Sequence, residues 1–262
     1  MNTAIIIAGG TGSRMGLEVP KQFALIEDKP VLIYTLDAFE QHPSIDSIGV
    51  VCIAGWQGIL RDYADRFGIK KLDWVIAGGQ TAQESIYNGV MYLDGKCGQD
   101  DTVIIHDGIR PLVEAAVISD VLAVCQQFGN GVTSLPYNEQ IFSVDSDDSF
   151  STVSYIPRDT LRRVSTPQAY HYQTLAARYR EAFEKHVGIS PSSYANTMMV
   201  DLGERLHFAA GSDKNIKLTT QDDLALFRAY ILGSSLTTVA PIGHDARPAQ
   251  ADQMPVHQDQ SV

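Results

Sequence analysis

The sequence predicts an α/β fold, a mostly parallel sheet with helices on both faces and a protruding β-arm. Three observations carry this. Short apolar runs alternate with segments of helical spacing along most of the chain, the rhythm of βαβ units. The first apolar run stops at a glycine cluster, Gly9-Gly10-Thr11-Gly12, as a buried strand does where it enters a tight turn. Between Pro136 and Pro157 the alternation gives way to two strand-like stretches around an acidic turn, which reads as a hairpin standing off the sheet.

In chain order, Ala4 to Ala8 contains three consecutive isoleucines and reads as a buried strand. Leu32, Leu36 and Phe39 have helical spacing, and Ser47 to Ile53 is strand-like. Trp56, Ile59, Leu60, Tyr63 and Phe67 fall on one helix face, with Gly68 where a C-terminal cap belongs. Strands follow at Leu72 to Ile76, Thr102 to His106 and Gly131 to Leu135, separated by helices near Glu84 to Leu93 and Ala115 to Gln127. The arm pairs Gln140 to Val144 with Ser151 to Ile156 across Asp145-Ser146-Asp147-Asp148. Leu175, Tyr179 and Phe183 mark another helix, and Thr220 with Asp223 forms a capping box opening a last helix through Ile231. One domain is therefore expected over residues 1–232, its arm at about 136–160. Residues 233–262, rich in Ser, Thr, Pro, Gln and Asp, are expected to form a disordered tail, because they cannot bury enough apolar surface to offset ordering.

Bulk properties narrow the function. The formal net charge of −11 over 262 residues argues against a nucleic-acid partner, since phosphate backbones are bound through Lys and Arg clusters. It does not exclude a small anionic substrate met by a few cations focused in a cleft. No apolar run approaches the roughly 20 residues of a membrane span, and the first residues lack a secretory pattern, so a cytoplasmic protein without membrane contact is expected. Cys52, Cys97 and Cys125 are odd in number and far apart, the mark of reduced structural thiols rather than a disulfide frame or zinc site.

Two constellations carry chemistry. In Ala8-Gly9-Gly10-Thr11-Gly12-Ser13-Arg14-Met15-Gly16, followed by Pro20-Lys21-Gln22, glycines let backbone N–H groups approach phosphate oxygens while Arg14 and Lys21 supply countercharge. The spacing fits neither a P-loop nor the dinucleotide fingerprint, because Met15 stands where the latter's third glycine belongs. A tight turn without a ligand is the plainer reading of the same glycines. The second is His106-Asp107-Gly108-Ile109-Arg110-Pro111 after a strand. Asp107 there could hold Mg²⁺ or a ribose, and Arg110 could meet phosphate or brace its loop. An ion pair that only stabilises the loop is the alternative. His106 reads as a satisfied, partly buried histidine.

Together with Gly78-Gly79, Glu84-Ser85, Thr166-Pro167-Gln168 and Asn215-Ile216-Lys217-Leu218-Thr219, these segments resemble, in order from about Ile5 to Ile231, the cytidylyltransferase family acting on methylerythritol phosphate and ribitol phosphate. The resemblance implies a Rossmann-like sheet whose β-arm exchanges across a homodimer, and CTP, a polyol phosphate and Mg²⁺ as ligands. It implies that Arg14 and Lys21 bind the CTP phosphates with the backbone of Ala8, Gly9, Gly10, Thr11 and Gly12 around them, and that Gly79 and Ser85 recognise cytosine. Asp107 would hold the ribose or the polyol and act as a weak metal ligand, the ion resting mainly on the CTP phosphates. Arg110 would support Asp107, and Thr166 and Lys217 would flank the reacting phosphates. Arg158 would grip the acceptor phosphate from the neighbouring subunit.

Two departures from the family pattern stand out. Ala82 replaces an arginine beside the glycine pair, and in Ser192-Ser193-Tyr194-Ala195 two acids are replaced by Ser193 and Tyr194 on the acceptor side, where Ser192 keeps a hydroxyl. The loop from Met15 to Pro20 has the length of methylerythritol-phosphate enzymes, whereas Ala8-Gly9-Gly10 leans to the ribitol-phosphate branch. The expected acceptor is 2-C-methyl-D-erythritol 4-phosphate, for isoprenoid precursor synthesis. The alternative is ribitol 5-phosphate or a related alditol phosphate, for surface-polymer synthesis. A guanylyltransferase shares the opening motif but leaves the Thr166 and Lys217 segments unexplained, and a catalytically silent nucleotide-binding partner is the rival of another class.

Overall fold

A computed structural model describes residues 1–10, 19–145 and 147–234. Its seven-stranded sheet has the order β11-β7-β10-β6-β1-β4-β5. The strands are β1 (Asn2–Ala8), β4 (Ser47–Cys52), β5 (Leu72–Ala77), β6 (Thr102–Asp107), β7 (Asn130–Pro136), β10 (Arg162–His171) and β11 (Phe208–Ala210). Strands β5, β4, β1 and β6 run parallel, β7 and β11 run parallel to each other, and β10 is antiparallel to both neighbours. Two residues each form the small pair β2 (Leu25–Ile26) and β3 (Lys29–Pro30), and β8 (Ile141–Ser143) pairs with β9 (Ser154–Ile156) as the arm.

The helices are α1 (Val31–Glu40), α2 (Gln57–Phe67), α3 (Ala82–Tyr92), α4 (Ala115–Phe128), α5 (Tyr172–Lys185), α6 (Ala195–Asp201) and α7 (Gln221–Ser234). Period-two alternation assigns them to opposite faces of the sheet. Ala4, Ile6 and Ala8 of β1 pack with Leu36 and Phe39 of α1, Leu60 of α2 and Ile118 of α4. Ile5 faces the other way, towards Ile86 and Val90 of α3, Tyr179 of α5 and Met198 of α6. Both faces are apolar because both are covered. Each fully buried isoleucine, leucine, valine, methionine or phenylalanine among them contributes about 2 kcal/mol. Gly49 is required for the close packing of β4 on β5, since a Cβ there would lie 2.0 Å from the Trp74 ring.

Local signals behave as their chemistry dictates. Gly68 caps α2 in the left-handed region at φ 72°. The Asp223 backbone N–H donates to Thr220 Oγ1 at 3.2 Å while the Thr220 N–H donates to Asp223 Oδ2 at 2.8 Å, closing the expected capping box. All three cysteines are free, and burial pushes the Cys52 thiol up to about 11 and the Cys125 thiol to about 12. No helix among the described residues is long and apolar enough to cross a membrane. Residues 233 and 234 of the expected tail instead continue α7, which runs to Ser234, and residues 235–262 lie outside the described residues.

Register is what builds the site. Ala8 lies beside Cys52, Cys52 beside Ala77, and Ile7 beside Asp107, so four parallel strands end along one edge. The chain leaves β1 towards β4 on one side and returns through β6 on the other, making the β1/β6 end the topological switch point where such sheets bind ligands.

Candidate active site

Two clusters flank that switch point. The first is a cleft of about 570 Å³ lined by Gly9, Gly10, Gly78, Gly79, Thr81 and Ser85, with Ala82 and Glu84 at its border. Thr81 caps α3 by accepting the Glu84 N–H at 3.1 Å, which leaves the positive end of the helix at the cleft. Ser85 Oγ donates to the Thr81 carbonyl at 2.9 Å and accepts the Gly79 N–H at 3.0 Å. A Cβ on Gly78 would come within 3.0 Å of that hydroxyl, and one on Gly9 within 3.2 Å. The glycines thus let two backbones close around Ser85. Ala82 leaves this border without the cation that the family pattern has there.

Gln22 was not singled out from the sequence, yet it ties the glycine segment together. It is 1% exposed, and its Nε2 donates to the Ala8 carbonyl at 2.8 Å and the Gly10 carbonyl at 3.0 Å. Lys21 beside it, half-buried, opens a single 3₁₀ turn, Lys21–Phe23. Thr11, Gly12 and Arg14 lie outside the described residues.

The second cluster is a ring of polar contacts about Asp107. Arg110 Nε donates to Asp107 Oδ2 at 2.9 Å, and Lys217 Nζ stands 3.2 Å from the same oxygen. Thr166 Oγ1 accepts the Asp107 N–H at 3.1 Å. Thr166 reaches inward because β10 breaks its pairing with β7 between Val164 and Gln168; such bulges re-aim side chains beside active sites. Burial alone would push the Asp107 carboxyl up, but Lys217 and Arg110 overcome it and hold the group down at about 2. His106, wholly buried, keeps a pKa of about 4 because burial penalises its charged form. It is therefore neutral, with Nε2 directed at the Arg110 carbonyl 3.2 Å away. The sequence predicts a satisfied, partly buried histidine; instead the ring is wholly buried and only half satisfied, its Nδ1 finding no hydrogen-bond partner among the described residues.

The remaining predicted site residues lie apart from this ring. Arg158 is exposed at the root of the arm, and its Nη1 donates to the Asn138 carbonyl at 3.2 Å. Ser192 and Ser193 meet Ser190, their hydroxyls 3.2 and 2.8 Å from its Oγ, in the turn before α6. Gln83 links that region to the first cleft. It is 1% exposed, accepts from the Tyr179 hydroxyl at 2.9 Å and donates to the Gly188 carbonyl at 2.7 Å.

A glycine-lined cleft beside a carboxylate held by Arg and Lys at the ends of parallel strands suits a nucleotide whose phosphates need countercharge. Over residues 2–233 the chain matches the family described as IspD, 2-C-methyl-D-erythritol 4-phosphate cytidylyltransferase. The chain belongs to this family. It is a nucleotidyltransferase of the cytidylyltransferase class. Among curated members it is 58% identical over 231 residues to a ribitol-5-phosphate cytidylyltransferase of Lacticaseibacillus paracasei, covering 88% of this chain and 98% of that one. It is 32% identical, over 87% of this chain and 96% of the other, to a 2-C-methyl-D-erythritol 4-phosphate cytidylyltransferase of Geotalea uraniireducens. The crystal structure of 4-diphosphocytidyl-2C-methyl-D-erythritol synthase from Anaerococcus prevotii superposes with a TM-score of 0.75 over 88% of this chain and 96% of its own, at 21% identity. That likeness establishes the Rossmann-like fold of the IspD family. The acceptor expected from loop length, methylerythritol phosphate, is the less supported of the two. The ribitol-phosphate relative is far more similar, as Ala8-Gly9-Gly10 had suggested.

Proposed function

We propose that the chain transfers the cytidylyl group of CTP to ribitol 5-phosphate, releasing pyrophosphate. The observation that carries the choice of acceptor is the 58% identity, over nearly the whole of both chains, to a protein named for that reaction. Formation of CDP-ribitol from CTP and ribitol 5-phosphate by the purified chain tests it. Product formed only with 2-C-methyl-D-erythritol 4-phosphate overturns it.

In this reading cytosine enters the cleft beside Gly79 and Ser85, and the triphosphate lies along Ala8 to Gly12 with Arg14 and Lys21. The acceptor is its own nucleophile: a phosphomonoester with a second pKa of about 6 is mostly a dianion at neutral pH. No side chain needs to remove a proton. The obstacle is repulsion between anions and the charge gathering on the α-phosphate and pyrophosphate, so positioning and countercharge dominate. Lys217 supplies that charge at the reacting phosphates beside Thr166, while Arg110 holds Asp107 for a hydroxyl of the ribose or polyol. Ser192 and Ser193 form the acceptor side.

Among the described residues no group of three carboxylate, histidine or cysteine side chains is placed to cage a metal. Asp107, already between two cations, fits at most one ligand position. That suits a Mg²⁺ ion carried mainly by the nucleotide's phosphates, which would neutralise charge on the triphosphate when bound.

The enzyme acts as a homodimer in this account. The arm exposes Phe150 and Val153 almost completely, at 99% and 93%, with Phe142 and Tyr155 also exposed, a surface suited to burial against a second copy. Arg158 then serves the partner's acceptor phosphate. An acidic enzyme with soluble nucleotide substrates fits a cytoplasmic location.

A further inference from the structure

We propose that Asn215 is a positioning residue that closes the ring of contacts about Asp107 and so fixes the Lys217 ammonium for the transfer; the inference rests on the cytidylyl-transfer reading of this site. Asn215 is 4% exposed. Its Nδ2 donates to the Thr166 carbonyl at 2.7 Å, and its backbone carbonyl accepts from Arg110 Nη1 at 2.8 Å. Thr166 and Arg110 each hold Asp107, one through the backbone N–H at 3.1 Å and one through the carboxylate at 2.9 Å. The circuit Asp107–Thr166–Asn215–Arg110–Asp107 is therefore complete. Lys217, two residues on from Asn215, reaches into it to pair with Asp107 at 3.2 Å. Past Lys217 the chain is pinned again, because the Leu218 N–H donates to the Ile109 carbonyl at 2.9 Å and Leu218 is 1% exposed. The lysine is thus anchored on both sides, by Asn215 before it and Leu218 after it.

Packing alone does not account for an amide at this position. Asn215 Oδ1 is buried and finds no hydrogen-bond partner among the described residues, whereas an apolar side chain would bury no such oxygen. What the amide adds is the Nδ2 donor, which joins the bulged turn of β10 to the segment that carries Lys217. Loss of that donor unties Thr166 from the segment that carries Lys217, while the Arg110 bond to the Asn215 backbone carbonyl remains, and displacement of about 1 Å in a charge-stabilised transfer costs about a hundredfold in rate.

The test compares the full chain with Asn215→Ala, which deletes the amide, and Asn215→Asp, which keeps its shape but cannot donate to Thr166. Steady-state pyrophosphate release is measured with CTP, Mg²⁺ and ribitol 5-phosphate, and thermal midpoints are measured alongside. The expected result is a fall in kcat of about a hundredfold in both variants, with the KM for CTP within about twofold because the base cleft is untouched. In a Lys217→Ala background Asn215→Ala should cost less than about threefold more, since residues acting as a unit are not additive. Near-normal kcat in folded Asn215→Asp and Asn215→Ala overturns the proposal, as do losses that simply multiply in the double variant. Loss of cooperative unfolding in both variants also overturns it, making Asn215 a fold residue. Absence of turnover in the unmutated chain would instead reject the underlying functional reading.

Discussion

Lys217 Nζ lies 3.2 Å from Oδ2 of Asp107, although 110 residues separate the two in sequence. The pair joins the end of β6 to the segment before α7, and with Arg110 on the same carboxylate the cluster carries two cations against one anion at one point of an acidic protein. Global charge thus says little about this site. Where the few cations converge matters more.

If that charge stabilises the transfer, Lys217→Ala and Lys21→Ala each lower kcat by a few hundredfold, or about 3 to 4 kcal/mol in barrier. Both variants should keep the thermal midpoint of the parent within a few degrees, since each lysine is only partly buried. Near-normal turnover in either removes that residue from the account.

The arm arginine permits a test by complementation. Arg158 donates within its own chain only to the Asn138 carbonyl in the described structure, and we expect it to act on the neighbouring subunit's substrate. Arg158→Ala and Lys217→Ala homodimers should each be nearly inactive. Mixed dimers of the two carry one site with both lesions and one with neither, so co-expression should restore up to about half of the activity per mixed dimer. No recovery, with mixed dimers verified by differential tags, places Arg158 in its own subunit's site.

Much of this architecture was legible because its signals are local. The triple isoleucine of β1, the helical spacing over Trp56 to Phe67 and the Thr220–Asp223 box each fold as their periodicity or capping chemistry requires. Strand β10 was missed because Arg162 and Arg163 make its start polar and Pro167 lies inside it, and proline ordinarily argues against an interior strand. It is tolerated here at the bulge. Strand β11 has three residues and helix α6 seven, too few for a period to emerge. In the site, Asp107, Arg110 and Lys217 stood out by charge within motifs. Gln22, Gln83 and the role of Asn215 did not, because uncharged amides announce nothing until folding shows which distant carbonyls they meet. Only the position of Gln22 directly after Lys21 offered a hint.

The Ser85 hydroxyl holds Gly79 through its N–H at 3.0 Å while its own proton goes to the Thr81 carbonyl at 2.9 Å. Ser85→Ala leaves the Gly79 N–H without this partner, a loss of about 1 to 3 kcal/mol. The KM for CTP should rise by about tenfold or more, with kcat changed much less. A variant whose kcat falls while KM stays constant would mean that Ser85 serves the transfer step rather than nucleotide binding.

Stability should fall in mildly acidic solution. His106 has a folded pKa of about 4, below the ordinary value of about 6.5, so from pH 6.5 down to 4 the unfolded chain takes up a proton that the folded chain refuses. The contribution is intact above pH 6.5 and declines by roughly 1 kcal/mol per pH unit within that window. Asp107, held at about 2, keeps its own contribution until the pH drops below about 4. His106→Gln retains an N–H for the Arg110 carbonyl without the titration. Urea midpoints of this variant should change less with pH between 6.5 and 4 than those of the parent, and an unchanged slope would contradict the assignment.

The central claim is the acceptor, and a competition assay tests it most directly. With CTP and Mg²⁺ present, ribitol 5-phosphate and 2-C-methyl-D-erythritol 4-phosphate are offered together at equal concentration, and the two CDP-alditols are separated and quantified. The product ratio equals the ratio of kcat/KM values. The account predicts at least about a tenfold excess of CDP-ribitol, the equivalent of about 1.4 kcal/mol in transition-state binding. Equal amounts, or an excess of the methylerythritol product, would contradict it.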